Sequence, residues 1–455
     1  MRRRLAVAAA VALAAAATAF AGFSVAGMQN DPVPTTNVSV QIWEWAFAFS
    51  QETAPVGTVV FTITNTGMSE PHDFAINGYT SAVLKPGEST TLTVAFTEPG
   101  VYPYTDTRAD TDREMYGNFA ITGTAVTTTG GTTTRGTTTT TTAPDANLPL
   151  QRVADVPLPG TASRFDYQSV DPARRRLFIA HLGAGTVVVF DLAHRRVVKE
   201  IRNVSQAHGV LVVPKLRHLY AAATGDRQLV TIDERTFRTI GRAAAGTYPD
   251  GIAYDSRDNL VFVSDESGGK ETIFQAPTGR RIGAVPLPGD AGNVQYDDPT
   301  GRILVAVGGA KNELAVIDPR RRKIARQVTL PGCQHAHGLH LDTAHRLAFV
   351  ACDQNAALIA LDLKTMHVLQ TQTVGADPDV LDFDTGLQRL YVASESGTVS
   401  VFAETARRLT KLGEAKLAEH AHTVAVDPTT HLVYFPLENI DGKPILRVMR
   451  PTGTQ

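Results

Sequence analysis

An all-β chain is predicted, a small antiparallel β-sandwich followed by a seven-bladed β-propeller. Two observations carry this. Between residues 36 and 124 apolar and polar residues alternate with period two in short runs separated by turn residues, the pattern of half-buried strands. From residue 149 onward the chain repeats itself. Aligning the residue just ahead of each unit's first apolar run gives Asp166, His208, Asp250, Asn293, His337, Asp379 and His422, spaced by 42, 42, 43, 44, 42 and 43 residues. A period in the low forties with four strands per repeat is the signature of a propeller, whose blades bury their faces only by stacking on like neighbours.

In chain order, residues 1–26 come first. Arg2-Arg3-Arg4 precedes an Ala-rich apolar run, and small-residue cleavage signals follow at Ala19-Phe20-Ala21 and Ser24-Val25-Ala26. This reads as a secretory signal peptide; an uncleaved anchor is the alternative, because the run approaches spanning length. No other stretch is long enough to span a bilayer. The first cysteine is Cys333, so no lipid-modified cysteine follows the signal. The expectation is a protein exported to the periplasm, the cell envelope or the medium. With 455 residues and a formal charge of −2, the chain has room for two or three domains and no basic stripe of the kind nucleic acid requires.

Residues 36–124 contain period-two runs at 38–42, 58–65, 73–76, 89–96, 100–104 and 117–121, which predict the sandwich. Their sequences resemble the cupredoxin family: Glu44-Trp45-Ala46-Phe47, Gly57-Thr58-Val59-Val60-Phe61-Thr62, Pro71-His72-Asp73-Phe74, Leu84-Lys85-Pro86-Gly87-Glu88-Ser89 and Pro99-Gly100-Val101-Tyr102-Pro103-Tyr104. The resemblance implies the fold and places His72 where the family carries its first copper-binding His. It does not carry copper further. A blue-copper site needs two His and a Cys thiolate with a weak axial Met. Where the Cys belongs this chain has Asp106, and where the second His belongs it reads Asp110-Thr111-Asp112. Only His72, and Met115 at the axial position, match. The expectation is a cupredoxin-like domain without type 1 copper, kept as a structural or docking module. A residual site for a harder metal, using His72 with Asp106 and Asp110 or Asp112, is the alternative.

Residues 125–148 are mostly Thr and Gly with a late Pro. They offer nothing apolar to offset the entropy of ordering, and predict a disordered tether.

Residues 149–455 form the repeat array. The unit Cys333 to Gly375 displays the pattern most openly. Strands are expected at 337–341, 347–351, 357–361 and 366–373, with the turn Asp342-Thr343-Ala344-His345 between the first two. Turn Asp residues recur in other units, as at Asp171, Asp255, Asp384 and Asp427. The last unit has only three strands, near 423–426, 432–436 and 445–449, so 151–158 is expected to supply the fourth and close the ring. The segments Ala207-His208-Gly209-Val210, Tyr248-Pro249-Asp250-Gly251-Ile252-Ala253, Leu347-Ala348-Phe349-Val350-Ala351 and Leu390-Tyr391-Val392-Ala393 resemble the YVTN-type repeat family. That family includes surface, binding and uncharacterised proteins and relatives of lactonases, so the resemblance implies fold more than function.

First strands line a propeller's channel, so the seven aligned residues are expected to converge at one mouth. His335/His337 and His420/His422 are spaced by two, which would put both members of each pair on one side of a strand. Imidazoles and carboxylates on one axis can hold a transition metal such as copper or zinc, or act as acid and base. The candidate metal set is His208, His337, His422, Asp250, Asp379, His335 and His420, with His208, His337 and His422 as three imidazoles that would share an ion in a narrow channel. Polar lining of a wet channel is the other reading. A propeller with His at its blade starts joined to a cupredoxin domain also resembles nitrous oxide reductase, with the domain order reversed and fewer His.

The two cysteines, Cys333 and Cys352, flank one hairpin, and export favours their oxidation to a disulfide; a Cys333-x-His335-x-His337 metal clip is the alternative. Phosphate-binding Gly loops, nucleophile-elbow Ser and zincin motifs are missing, and Ser264-Asp265-Glu266-Ser267 reads as a strand end or turn rather than a triad. The function expected from sequence is binding of an unidentified small molecule or protein at the channel mouth. The competing reading is a metal-dependent enzyme, an oxidoreductase or lactonase-like hydrolase, that uses the ring.

Overall fold

The computed structural model describes residues 34–43, 46–51, 53–67, 71–108, 115–123 and 148–453. The signal segment, the Thr-rich tether, Asp110 and Asp112 lie outside the described residues. Within them the chain is all-β, a sandwich followed by a propeller.

The sandwich has two sheets. One contains Ala46–Phe49, Thr35–Trp43, Gly57–Asn65 and Ser89–Phe96, in that spatial order; the other contains Thr53–Pro55, Tyr116–Thr122, Gly100–Thr105, Ala75–Ile76 and Tyr79–Thr80. Strand Thr35–Trp43 runs parallel to Gly57–Asn65, with Val38 opposite Phe61 and Val40 opposite Ile63. Period-two patterning does the sorting: Val59, Phe61 and Ile63 are buried, and they meet Phe74, Phe119 and Ile121 from the facing sheet. Phe61 contacts Phe74 and Phe119 at centroid separations of 5.2 Å each, within the favoured range for aromatic pairs. Ala46–Phe49, Thr53–Pro55 and Tyr79–Thr80 are strands that the expected pattern lacked. Each is too short to show a period.

Seven four-stranded antiparallel sheets follow. Six are meanders of consecutive strands. Their first strands are Gln168–Asp171, Ala207–Val213, Pro249–Asp255, Asp290–Asp297, Ala336–Asp342 and Pro378–Asp384. The seventh combines Ala425–Asp427, Leu432–Ile440 and Lys443–Pro451 with Leu150–Pro157, which pairs antiparallel with Lys443–Pro451. First strands of successive sheets pack against one another, and Ala425–Asp427 packs against Gln168–Asp171, so the circle is complete. Middle strands such as Leu347–Cys352 and Ala357–Asp362 are buried along their whole length, because neighbouring sheets cover both faces. Outer strands such as His367–Thr373 alternate exposed and half-buried residues.

Turn chemistry repeats with the blades. Asp342 Oδ1 accepts from the backbone N–H groups of Ala344 and His345 at 3.1 and 3.2 Å. Asp384 does the same for Gly386 and Leu387, and Asp255 for Arg257 and Asp258. Such Asx turns pin the first hairpin of these units. The residue ending that turn adopts positive φ, 56° at Arg175, 60° at Arg346 and 58° at His431. Its side chain then reaches back to the turn Asp of the preceding blade. Arg175 pairs with Asp427, Arg346 with Asp297 at 2.9 Å, and His431 with Asp384 at 2.9 Å. Cys333 and Cys352 are joined in a disulfide across the first hairpin of the fifth sheet, Cα to Cα 5.4 Å.

Candidate functional site

The ring residues owe their aim to a bulge. In the five first strands from Ala207–Val213 to Pro378–Asp384, the ladder to the second strand shifts register where the ring residue stands: between Ala207 and Val210, Pro249 and Ile252, Ala291 and Val294, Ala336 and Leu339, Pro378 and Leu381. One extra residue on the first strand re-aims its side chain. After His208 and His337 the glycine that follows is required by packing. A Cβ on Gly209 would lie 2.0 Å from the carbonyl oxygen of Asp250, and one on Gly338 would lie 2.2 Å from that of Asp379. The His-Gly steps at 208–209 and 337–338 let those two blades close on the ring residue of the next.

Asp166 is the hub. Its carboxylate, one ring nitrogen of His208 and the carboxylate of Asp250 lie within 4.8 Å of one another; so do Asp166, Asp379 and one ring nitrogen of His422. The five side chains come from consecutive blades of the circle, sixth, seventh, first, second and third, with Asp166 in the middle of the arc. All are buried, His422 completely. Asn293 and His337 complete the ring from the fourth and fifth blades. Tyr167 donates its hydroxyl to Asp250 at 3.2 Å and contacts Asn293 Oδ1. His337 Nε2 stands 3.3 Å from Asp379 Oδ1.

The two imidazoles of the arc share one support, a carbonyl on Nδ1, and His422 Nδ1 also stands 3.3 Å from Glu395 Oε2. His208 Nδ1–H donates to the carbonyl of Gln206 at 3.1 Å, and His422 Nδ1–H to that of His420 at 3.0 Å. Gln206 and His420 present those carbonyls because both adopt positive φ, 48° and 53°. A carbonyl on Nδ1 fixes the tautomer with its lone pair on Nε2, the orientation that metal-binding histidines use. His208 Nε2 accepts from the Tyr248 hydroxyl at 2.9 Å and lies 3.8 Å from Asp166. His422 Nε2 is buried and has no hydrogen-bond partner among the described residues.

Electrostatics prepare the arc for a cation. Burial, with Asp250 beside it, pushes Asp166 well above the usual carboxylate range. Burial and Glu266 raise Asp250 to about 7. Burial and Arg164 hold His208 neutral, down to about 3, and lower His422 as well. Arg164 itself is engaged with Glu395. Neutral imidazoles with crowded carboxylates suit a divalent ion, which removes the repulsion that burial creates. Mixed nitrogen and carboxylate donors fit transition metals.

Other candidates fall elsewhere. His337 carries a proton instead of offering a lone pair: burial opposes its charge, but the hydrogen bond with Asp379 outweighs burial and raises it well above the ordinary imidazole value. The three imidazoles therefore do not form one group; neighbouring blades supply the contacts. The rings of His335 and His337 do lie side by side, centroids 6.5 Å apart and nearly parallel, but strand alternation is not what places His335 and His420. Each has positive φ and precedes its strand, so period-two alternation does not apply to it. His335 Nδ1 lies 2.7 Å from Asp353 and Nε2 3.5 Å from Asp290, while His420 contributes its carbonyl. The Cys333-x-His335-x-His337 clip is overturned by the disulfide. Ser264 lies 2.8 Å from Glu271 Oε1 and 2.7 Å from the Gly292 carbonyl, inside the core. Asp342, His345 and Glu404 also gather, as part of the hairpin-turn and interblade contacts.

In the sandwich, His72 Nδ1 is 2.5 Å from Asp106 Oδ2. Asp106 Oδ1 accepts from the backbone N–H groups of Asp73 and Arg108 at 3.1 and 2.9 Å. Burial works against its charge, but these bonds outweigh it and hold Asp106 below the usual range. Met115 is buried with the apolar core and offers its carbonyl to Asp106 N–H at 2.8 Å.

Asp166, Tyr248 and Arg164 were not among the sequence candidates. Asp166 stood in the aligned ring and was the one signal available; nothing local marks Tyr248 or Arg164.

Fold and site thus define an all-β protein whose propeller axis carries a buried His/Asp arc. The fold is similar to that of a solved structure of Kuenenia stuttgartiensis hydrazine synthase, at 12% identity and a TM-score of 0.55, covering 69% of this chain and 99% of that one; at that identity the likeness is one of fold. No protein-family model matches the chain, and comparison with curated proteins gives no match.

Proposed function

We propose that this is an exported two-domain binding protein whose propeller takes up divalent transition metal at its axis. A signal peptide at 1–26, a cupredoxin-like domain at 36–124 without type 1 copper, a tether at 125–148 and a YVTN-type seven-bladed propeller at 149–455 make up the chain. The Cys333–Cys352 disulfide supports an oxidising compartment. His422 carries the metal reading. It is wholly buried, its Nδ1 is held by a backbone carbonyl and stands 3.3 Å from Glu395, its Nε2 lacks a partner among the described residues, and one of its ring nitrogens gathers with the carboxylates of Asp166 and Asp379. A buried polar atom left unpaired costs about 1–3 kcal/mol, and a metal ion relieves that cost. In the cupredoxin-like domain, Asp106 takes the place of a thiolate and holds His72, which supports a structural role there.

Full-length protein purified without affinity-tag histidines should carry zinc, manganese or copper by elemental analysis, or bind one of them after chelation. Protein that stays metal-free under all three would overturn the reading.

A further inference from the structure

Resting on that metal reading, we propose that the axis holds two divalent transition-metal ions, bridged by the carboxylate of Asp166. His208 and Asp250 complete one position; His422 and Asp379 complete the other.

Three observations carry this. The five ligands do not form a single group: they fall into two triads that share Asp166 alone, each within 4.8 Å internally. With metal–ligand bonds of about 2.0–2.2 Å, donors around one ion lie within roughly 4.4 Å of each other. Each triad therefore needs only small adjustments to enclose an ion. One ion for all five is not supported. A carboxylate has two oxygens and is the natural bridge.

The two halves share a plan, though His422 Nδ1 also has Glu395 at 3.3 Å. Each supplies one imidazole with Nδ1 bonded to the carbonyl two residues earlier and one carboxylate from an adjacent blade. Completely buried, the unpartnered His422 Nε2 is an observation independent of the acidic cluster. On the other side, His208 Nε2 exchanges the Tyr248 hydroxyl for the ion, and the phenol remains as a donor at the edge of the site.

Charge favours two ions. Arg164 pairs with Glu395 and His337 with Asp379, while Asp166 and Asp250 crowd one another, Asp166 raised by burial and by Asp250, and Asp250 by burial and by Glu266. Two divalent ions with one bridging hydroxide neutralise three carboxylates. Such pairs stand about 3.5–4 Å apart.

The test uses the full-length chain, stripped with chelator and titrated with Mn(II) alone. Two ions per chain are expected, with an exchange-broadened electron paramagnetic resonance signal. His208→Gln and His422→Gln should each bind one ion and show the signal of isolated Mn(II). Asp166→Asn should weaken both positions at least tenfold and abolish coupling, and His345→Gln should bind two coupled ions. Circular dichroism verifies that each variant is folded; should a Gln variant unfold, the Asn variant at the same position replaces it. One ion per wild-type chain, or two uncoupled ions indifferent to His422→Gln, overturns the bridged pair and leaves metal binding standing. No bound Mn(II) overturns the bridged pair, and the metal reading falls with it if zinc and copper also fail to bind.

Discussion

His422 donates its Nδ1–H to the carbonyl of His420, two residues earlier, across 3.0 Å. The spacing that made these histidines look like a pair of ligands is the spacing that makes one the support of the other. His420 sits at φ 53°, turning its carbonyl under the ring of His422. The same arrangement joins Gln206 to His208 without any second histidine, so the backbone conformation, not the residue type, does the holding.

Burial of uncompensated carboxylates should make the metal-free protein sensitive to alkali. Asp250, raised to about 7 by burial and Glu266, binds a proton more tightly folded than unfolded. Its contribution is fully present below the unfolded value near 4 and is lost as pH rises through about 7. Asp250→Asn should therefore stabilise the metal-free protein at pH 8 by ~2–4 kcal/mol, measured by denaturant titration, and give no gain at pH 4. Equal stability at pH 8 would contradict the assignment.

His335 should give a second pH signature of the same sign. Burial lowers its proton affinity, but Asp290 and Asp353 outweigh burial and raise it to about 9. Its stabilising charge is intact below the ordinary imidazole value near 6.5 and is lost as pH rises to about 9. His335→Gln should flatten the stability profile between those values by a few kcal/mol. A wild-type-like slope in the variant would show that other groups produce it.

Reducing the Cys333–Cys352 bond should lower stability by about 3 kcal/mol, the loop-closure entropy of a segment of this length. The separation is 19 residues. Thermal melts with and without dithiothreitol, and of Cys333→Ser/Cys352→Ser, report it; an unchanged midpoint would mean the hairpin is held by packing alone.

Deleting residues 148–160 should unfold the propeller cooperatively. The deletion removes Leu150–Pro157, the partner of Lys443–Pro451, and buried Leu150 and Leu158 with it. It exposes a sheet edge and opens the circle. A truncated protein that melts like the parent would refute the role of this strand in closure.

Copper added to the intact protein should give no intense visible charge-transfer band. Both cysteines are tied in a disulfide, and at His72 the neighbour is the carboxylate of Asp106, which cannot supply the thiolate transition of a blue site. An intense blue colour would overturn this.

Much was legible in the sequence because it is local or periodic. Period two sorted Phe61 and Ile63 inward, and the recurrence of Asp166, His208, Asp250, Asn293, His337, Asp379 and His422 named the ring members before any coordinate. The hairpin fixed the cysteine pair, since antiparallel strands put Cys333 near Cys352. Tertiary structure alone decided which ring members meet. Blade membership says nothing of channel radius, and the extra residue at each bulge turns the side chain in a direction that alternation does not predict. Distance across the channel then separates His337 from His208 and His422, while adjacency around it gathers both of those histidines onto Asp166. His335 and His420 take other partners for an equally local reason that spacing conceals: both have positive φ, so His335 turns to Asp353 and Asp290 and His420 lends its carbonyl to His422.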